Sequence, residues 1–360
     1  MTSEPPRTTG RFDAFATEAL VSWMDAHGIG EGCLEDVRAL SGGTQNVMIA
    51  FTRGGDSFVL RRGPVVPPPS SDDTIRREVR LLTALAGTDV PHARLVTACD
   101  SPDVLGSAFY LMEAVEGFNA AEALPPAQAH RPELRRRMVM TMVDGLAHLA
   151  QVDPSEVGLQ GFGRPEGFLE RQTERWLDQL ARIESADHDG PTVVTMRPIA
   201  DWLDRHRPRA SAPGILHGDF HVANVMFDEP TSSLAAIVDW ELATIGDPLL
   251  DLGTLLALWP AADGQPDLLG SALSLAGGLP SESELVERYA ASSGRQVGDI
   301  DYYYVLGCFR LAVLLEGTCA RARVGRAPAE VGRRLHTMAA ELVQRGARRV
   351  AETPADRHIP

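Results

Sequence analysis

The chain has 360 residues, enough for one large or two modest domains with a substantial core. Hydrophobic residues make up 44% and charged residues 23%, ordinary values for a globular chain, and the net charge of -15 argues against a general binder of nucleic acid or anionic membrane. All 34 basic side chains counted as Lys+Arg are arginine, so any chemistry that needs a lysine must use arginine in its place.

The opening MTSEPPRTTGRFDAF holds no apolar core of signal-peptide length, and no uncharged apolar run of about 18 residues follows, so a cytoplasmic protein is expected. Four cysteines (Cys33, Cys99, Cys308, Cys319) lack CxxC spacing and read as reduced side chains packed inside. Phe12 to His27 has apolar residues at helical spacing. Two strands are predicted next: Val47, Ile49 and Phe51 alternate with their neighbours, Gly54-Gly55 supplies a turn, and Phe58-Val59-Leu60 resumes. Ahead of them lies the polar, glycine-bearing Ser41-Gly42-Gly43-Thr44-Gln45-Asn46.

GPVVPPPSSDD is a loop by its prolines, and Ile75, Val79, Leu82 and Ala86 then predict an amphipathic helix over 73–86. SAFYLMEAVEG reads as a buried strand ending at Gly117. From Arg131 the pattern turns helical; Met138, Met142, Leu146 and Leu149 form one core stripe. Further helices are predicted at 166–184, 196–206, 248–259, 282–293, 300–323 and 328–350, with a short strand-rich insertion at 215–240. Strands segregated from helices predict an α+β chain of two lobes, 1–115 and 116–360, with the crease near Glu113–Gly117.

The chemistry concentrates in ILHGDFHVANVMFDEPTSSLAAIVDWELATIGDPLLDLG, Ile215 to Gly253. His217, Asp219 and His221 alternate as metal ligands can, but the other eight histidines are scattered, which does not suit a binuclear hydrolase. Turn and cap roles explain Asp228-Glu229-Pro230-Thr231. They do not easily explain Asp219 and Asn224 beside Val225-Met226-Phe227, or Asp239 ending an apolar strand, because a buried carboxylate without a partner is costly. Phosphoryl transfer explains more. It needs a base Asp, an Asn five residues on as a magnesium ligand, and a second magnesium-binding Asp at the end of a nearby strand; Asp219, Asn224 and Asp239 have that order and spacing. Upstream, the loop from Ser41 to Asn46 can cover phosphates, Arg61 follows an apolar strand, and Glu78 borders the apolar stripe of the next helix.

HGDFHVANVMF and IVDWELATIGDPLLDLG resemble the two central motifs of the aminoglycoside phosphotransferase family, which shares the protein-kinase-like fold. FVLRRGP, REVRLLTAL, FYLMEAVEG, VDPSEVGLQGFGRPEGFLERQTERW and RLAVLLEG resemble the branch that includes kinase-like domains joined to acyl-CoA dehydrogenases, over roughly residues 38–325. The resemblance implies a bilobal fold, with a small N-terminal sheet lobe and a larger helical lobe that carries the catalytic and acceptor groups. It implies that Asp219 orients and deprotonates an acceptor hydroxyl, that Asn224 and Asp239 bind Mg²⁺, and that His217 supports the loop. It also implies that Ser41, Gly42, Gly43, Thr44, Asn46 and Arg61, paired with Glu78, serve the phosphates of ATP (or GTP), that backbone near Glu113 and Val115 holds the base, and that Asp247 and Asp251 brace the catalytic loop. Arginine replaces the commoner lysine at 61, and Arg62 is the alternative.

His221 can touch phosphate or acceptor, or simply pack; Glu241 can meet a cationic acceptor or cap a turn. Arg310, Arg321 and Arg323 can meet an anionic acceptor or be solvated. The expected function is a small-molecule kinase acting on a hydroxyl, with a hydroxyacyl compound as one such acceptor. The alternatives are an antibiotic phosphotransferase, in which Glu241 and Glu316 meet a cationic substrate, and a nucleotide-binding pseudokinase. Nucleotide and a small acceptor are the expected partners, with no nucleic acid and no membrane.

Overall fold

A computed structural model describes residues 14–40, 47–63, 71–184, 190–209, 212–260 and 265–353. The chain divides into two compact units: Met1–Ala86 with Ala93–Val115, and Gly87–His92 with Glu116–Pro360.

The first unit contains α1 (Ala14–Ala26), β1 (Glu35–Ala39), β2 (Val47–Arg53), β3 (Asp56–Arg62), α2 (Ser71–Leu85), β4 (Leu95–Cys99) and β5 (Phe109–Glu113). Its strands form one antiparallel sheet in the order β1-β2-β3-β5-β4. Arg53 pairs with Asp56 across the two-residue turn Gly54-Gly55, whose φ values of +61° and +91° suit glycine and the twist of a tight hairpin. Strand periodicity then sorts the faces. Ile49, Phe51, Phe58, Leu60, Phe109 and Leu111 bury one face with Leu20 and Met24 of α1. Arg61 and Tyr110, direct partners in the β3–β5 register, alternate onto the other face. The strand predicted to run to Gly117 ends at Glu113. The wholly exposed β1, which shows no alternation in burial, and β4 were not expected from the sequence.

The second unit contains α3 (Pro126–His130), α4 (Pro132–Gln151), α5 (Gln172–Ile183), α6 (Val193–Arg205), β6 (Gly214–Leu216), β7 (Val225–Phe227), β8 (Leu234–Ile237) and β9 (Thr244–Gly246). It continues through α7 (Leu249–Leu258), α8 (Ala272–Leu275), α9 (Glu282–Ser293), α10 (Ile300–Arg323) and α11 (Ala329–Glu352). The stripe Met138, Met142, Leu146 and Leu149 is buried as its spacing predicts. By length and composition α10 is apolar enough to cross a membrane, yet most of that stretch lies inside the unit. It packs closely on α7 because Gly253 has no side chain: a Cβ there would overlap the Tyr303 carbonyl. Two short antiparallel pairs, β6–β9 and β7–β8, carry the chain through the motif region.

Candidate active site

The β7–β8 hairpin brings the Asn224 and Asp239 segments side by side. Its turn is made by Asp228, whose carboxylate accepts the N–H and hydroxyl of Thr231. Val225 pairs with Ile237, so Asn224 and Val238 meet where the hairpin opens, and the Val238 N–H donates to the Asn224 carbonyl at 2.9 Å. Asp239 follows immediately, at φ +66°.

Asp219 joins them from the loop after β6. Asn224 Nδ2 donates to the Asp219 carbonyl oxygen at 2.8 Å and to its Oδ2 at 3.2 Å. The same Oδ2 lies 3.3 Å from His221 Nε2. His217 is wholly buried; its Nε2 bonds the Val238 carbonyl at 2.9 Å, and its Nδ1 accepts the Asp219 N–H at 3.2 Å. Those partners require the proton on Nε2 and make His217 a strut between the hairpin and the loop.

The loop's backbone is clamped from behind. Asp251, near the start of α7, accepts the N–H groups of His217 at 2.6 Å and Gly218 at 2.9 Å. Arg310, buried on α10, donates to the Gly218 carbonyl and lies over the Trp176 ring at 5.5 Å. Asn119 Nδ2 holds the Ala223 carbonyl at 2.7 Å. Gly218 sits at φ +85°, where a Cβ would overlap the Leu242 carbonyl, so the turn requires glycine.

These contacts set the charges. Burial would raise the Asp219 carboxyl, but the charge of His221 and its hydrogen bond, with Arg310, outweigh it and hold the carboxyl well below the usual range. Burial would lower His221, but Asp219 above all, then Asp239 and Asp267, outweigh it and raise the imidazole. Asp251 moves the other way: burial pushes its carboxyl up against the pull of the two backbone N–H groups and Arg310.

In the first unit, Arg61 and Glu78 are nearly inaccessible, with 3% and 1% exposure, and form a two-point pair: Nε to Oε2 at 2.8 Å and Nη2 to Oε1 at 3.0 Å. The Tyr110 hydroxyl donates to Glu78 Oε2 at 2.7 Å. Arg62 instead bonds the Leu105 carbonyl, so Arg61 is the arginine that Glu78 holds. At the end of β5, the Glu113 N–H is taken by the Arg94 carbonyl and that of Ala114 by the Ser57 carbonyl; Val115 closes the unit. Ser41, Gly42, Gly43, Thr44 and Asn46 lie outside the described residues.

Two sequence readings change. Arg310 is a buried support of the catalytic-type loop, not a contact for an anionic acceptor, and Arg321 bonds the Thr318 hydroxyl. Asp251 braces the loop, whereas Asp247 accepts the Tyr303 hydroxyl and the Leu249 N–H at the start of α7. Tyr110 and Asn119 were not singled out from the sequence; alternation separates Tyr110 from Phe109 and Leu111, but only the pairing of β5 with β3 brings it to Arg61.

The donor set fits magnesium, which takes hard oxygens and few protein carboxylates. Among the described residues the Asn224 side chain makes its hydrogen bonds through Nδ2, which leaves Oδ1 as its donor oxygen. Asp239 adds a carboxylate one residue beyond Val238, which bonds Asn224.

The phosphotransferase enzyme family model matches residues 36–294. The chain belongs to that family. It is 30% identical to a presumed aminoglycoside phosphotransferase from Ralstonia eutropha JMP134, whose crystal structure superposes with a TM-score of 0.78 over 96% of this chain and 100% of the other. It is 29% identical over 320 residues to acyl-CoA dehydrogenase family member 11 of Gallus gallus, matching 86% of this chain and 40% of that protein. This family member therefore spans about two fifths of the length of that relative. An aminoglycoside phosphotransferase, APH(4)-Ia, solved in a ternary complex with AMP-PNP and hygromycin B, shares the fold at 15% identity and a TM-score of 0.59, over 91% of this chain and 98% of the other.

Proposed function

We propose that this phosphotransferase transfers the γ-phosphoryl group of ATP (or GTP) to the hydroxyl of a small acceptor. The observation that carries the reading is the convergence of Asp219, Asn224 and the Asp239 segment through the Asn224–Asp219 and Val238–Asn224 hydrogen bonds. A base and two magnesium-type ligands in one hydrogen-bonded cluster are what positioned phosphoryl transfer needs.

In this proposal Asp219, held ionised, accepts the hydrogen bond of the acceptor hydroxyl, orients its oxygen and takes its proton as the bond to phosphorus forms. His221 is a raised imidazole whose Nδ1 is buried with no hydrogen-bond partner among the described residues, which suits an incoming phosphoryl oxygen. Asn224 and Asp239 hold Mg²⁺, which when bound neutralises phosphate charge. Arg61, fixed by Glu78, supplies a cation to the nucleotide phosphates, with Ser41 to Asn46 and the backbone at Glu113 and Val115 as the remaining nucleotide contacts.

For the acceptor we propose a neutral or anionic alcohol of the hydroxyacyl class, free or as a CoA thioester. Support comes from the similarity to chains named acyl-CoA dehydrogenase family members, and no longer from Arg310. The test is magnesium-dependent transfer from labelled ATP and GTP to a panel of hydroxy acids and hydroxyacyl-CoAs, and in parallel to aminoglycosides. Turnover of the acyl panel supports the proposal. Turnover of aminoglycosides alone overturns the acceptor class, and nucleotide binding without transfer to either panel favours a pseudokinase.

A further inference from the structure

Away from the Asp219 cluster, α10 and α11 bring together three side chains of three different donor types. Glu316 and Cys319 are three residues apart on α10 and so share a face. His336 faces them from α11, and one donor atom of each residue lies within 4.8 Å of the others. The Glu316 carboxylate is wholly buried, Cys319 is buried, and His336 is partly open. His336 Nδ1 is 2.8 Å from Glu316 Oε1, and Cys319 Sγ is 3.2 Å from the Gly332 carbonyl. Gly190 backs the group closely: a Cβ there would come 2.7 Å from Glu316 Oε1 and 2.9 Å from His336 Cε1. Two of the three, Cys319 and His336, also line a cavity of about 220 Å³ that is bordered by Ala322, Gly332, Arg323 and Arg333.

We propose that Glu316, Cys319 and His336 form a zinc site, separate from the magnesium ligands, whose fourth position faces this cavity. The donor set decides the metal. Mixed oxygen, sulfur and nitrogen suits a borderline cation such as Zn²⁺, whereas magnesium and calcium take oxygen. Three protein ligands and one open side give a labile, water- or anion-accepting site, and Arg323 and Arg333 beside the cavity favour an anion as the fourth ligand.

Charge closes as well. Zn²⁺ with the Glu316 carboxylate and the Cys319 thiolate has no net charge, which a buried location favours. Binding releases the thiol proton to solvent, and the sulfur exchanges its contact with the Gly332 carbonyl for a bond to zinc. His336 donates its Nδ1 proton to Glu316 Oε1 in the metal-free site; on binding, the neutral ring gives up that proton, takes one at Nε2 through solvent, and turns the Nδ1 lone pair to the metal.

The test is zinc titration of the full chain against a competing chelator, in a Cys33→Ser background that removes the exposed thiol. One equivalent should bind. Cys319→Ser, His336→Gln and Glu316→Gln should each lower the affinity by more than the ~10–100-fold that outer-shell changes cost. Cobalt should give a thiolate charge-transfer band in the near ultraviolet, absent from Cys319→Ser. Circular dichroism and magnesium-dependent nucleotide binding confirm that each variant is folded. No retained equivalent in the parent, or equal zinc affinity in a folded Cys319→Ser, overturns the proposal.

Discussion

The Arg61 cluster of the first unit and the loop after β6 in the second are braced by different means. In the first, Arg61, Glu78 and Tyr110 bond side chain to side chain, from β3, α2 and β5. In the second, side chains grip main chain: Asp251 takes two N–H groups, and Arg310, Asn119 and His217 each take a carbonyl. A side-chain cluster fixes one charge at one point. Main-chain contacts fix the path of a loop, and with it every residue the loop carries. A substitution in the first cluster should therefore alter one interaction, and one in the second should displace several.

The largest effect should separate charge from path. Asp219→Asn keeps the loop contacts but removes the base, so turnover should fall at least ~100-fold while nucleotide affinity with magnesium stays near that of the parent. Steady-state rates and calorimetric titration read the two separately, and unchanged turnover in a folded variant removes Asp219 from the mechanism. Next, Asp251→Ala strips two buried N–H groups of their acceptor. Urea unfolding should show a loss of about 3 kcal/mol, and a loss below about 1 kcal/mol means the loop is held mainly from elsewhere.

In the first unit the effects should be smaller and local. Tyr110→Phe removes one hydrogen bond to Glu78 and should cost about 1 kcal/mol in the same assay. Arg61→Lys keeps a cation without the two-point fork, so part of the nucleotide affinity should survive. Equal damage from the two changes would mean that the cluster is not a set of separable contacts.

The smallest effect lies at the rim. Glu284 closes the capping box of α9, and Arg136 above all, with the Ser281 N–H and hydroxyl, brings its carboxyl down to about 2. A folded pKa below the ordinary 4.5 means that this contribution is fully present above pH 4.5 and is lost as pH falls toward 2. Glu284→Gln should flatten the melting-temperature curve over that window; an unchanged slope assigns the acid sensitivity to other groups.

What the sequence revealed follows the same division. Local patterns were legible: the hairpin from Val47 to Arg62, α9, α10, and the order of Asp219, Asn224 and Asp239. Glu78 was legible too, as the acid at the edge of a helical stripe. Tyr110 was not, because its place opposite Arg61 depends on β5 lying beside β3 although β4 intervenes in the chain. Arg310 misled because α10 is buried along most of its length, so periodicity could not say which face meets the loop. Glu316, Cys319 and His336 come together only when α11 folds back on α10, which no spacing within one helix announces.

Asp239 sets two kinds of selection against each other. Its left-handed backbone at φ +66° costs an ordinary side chain about 1 kcal/mol and glycine nothing, although aspartate tolerates the region better than most. Mutational drift toward a more stable chain therefore runs toward glycine at this position, while retention of the carboxylate proposed to hold the metal runs against it. A descendant that had abandoned phosphoryl transfer would gain by the change, so glycine at 239 in a family member that keeps Asp219 is a mark of lost catalysis rather than of a damaged fold.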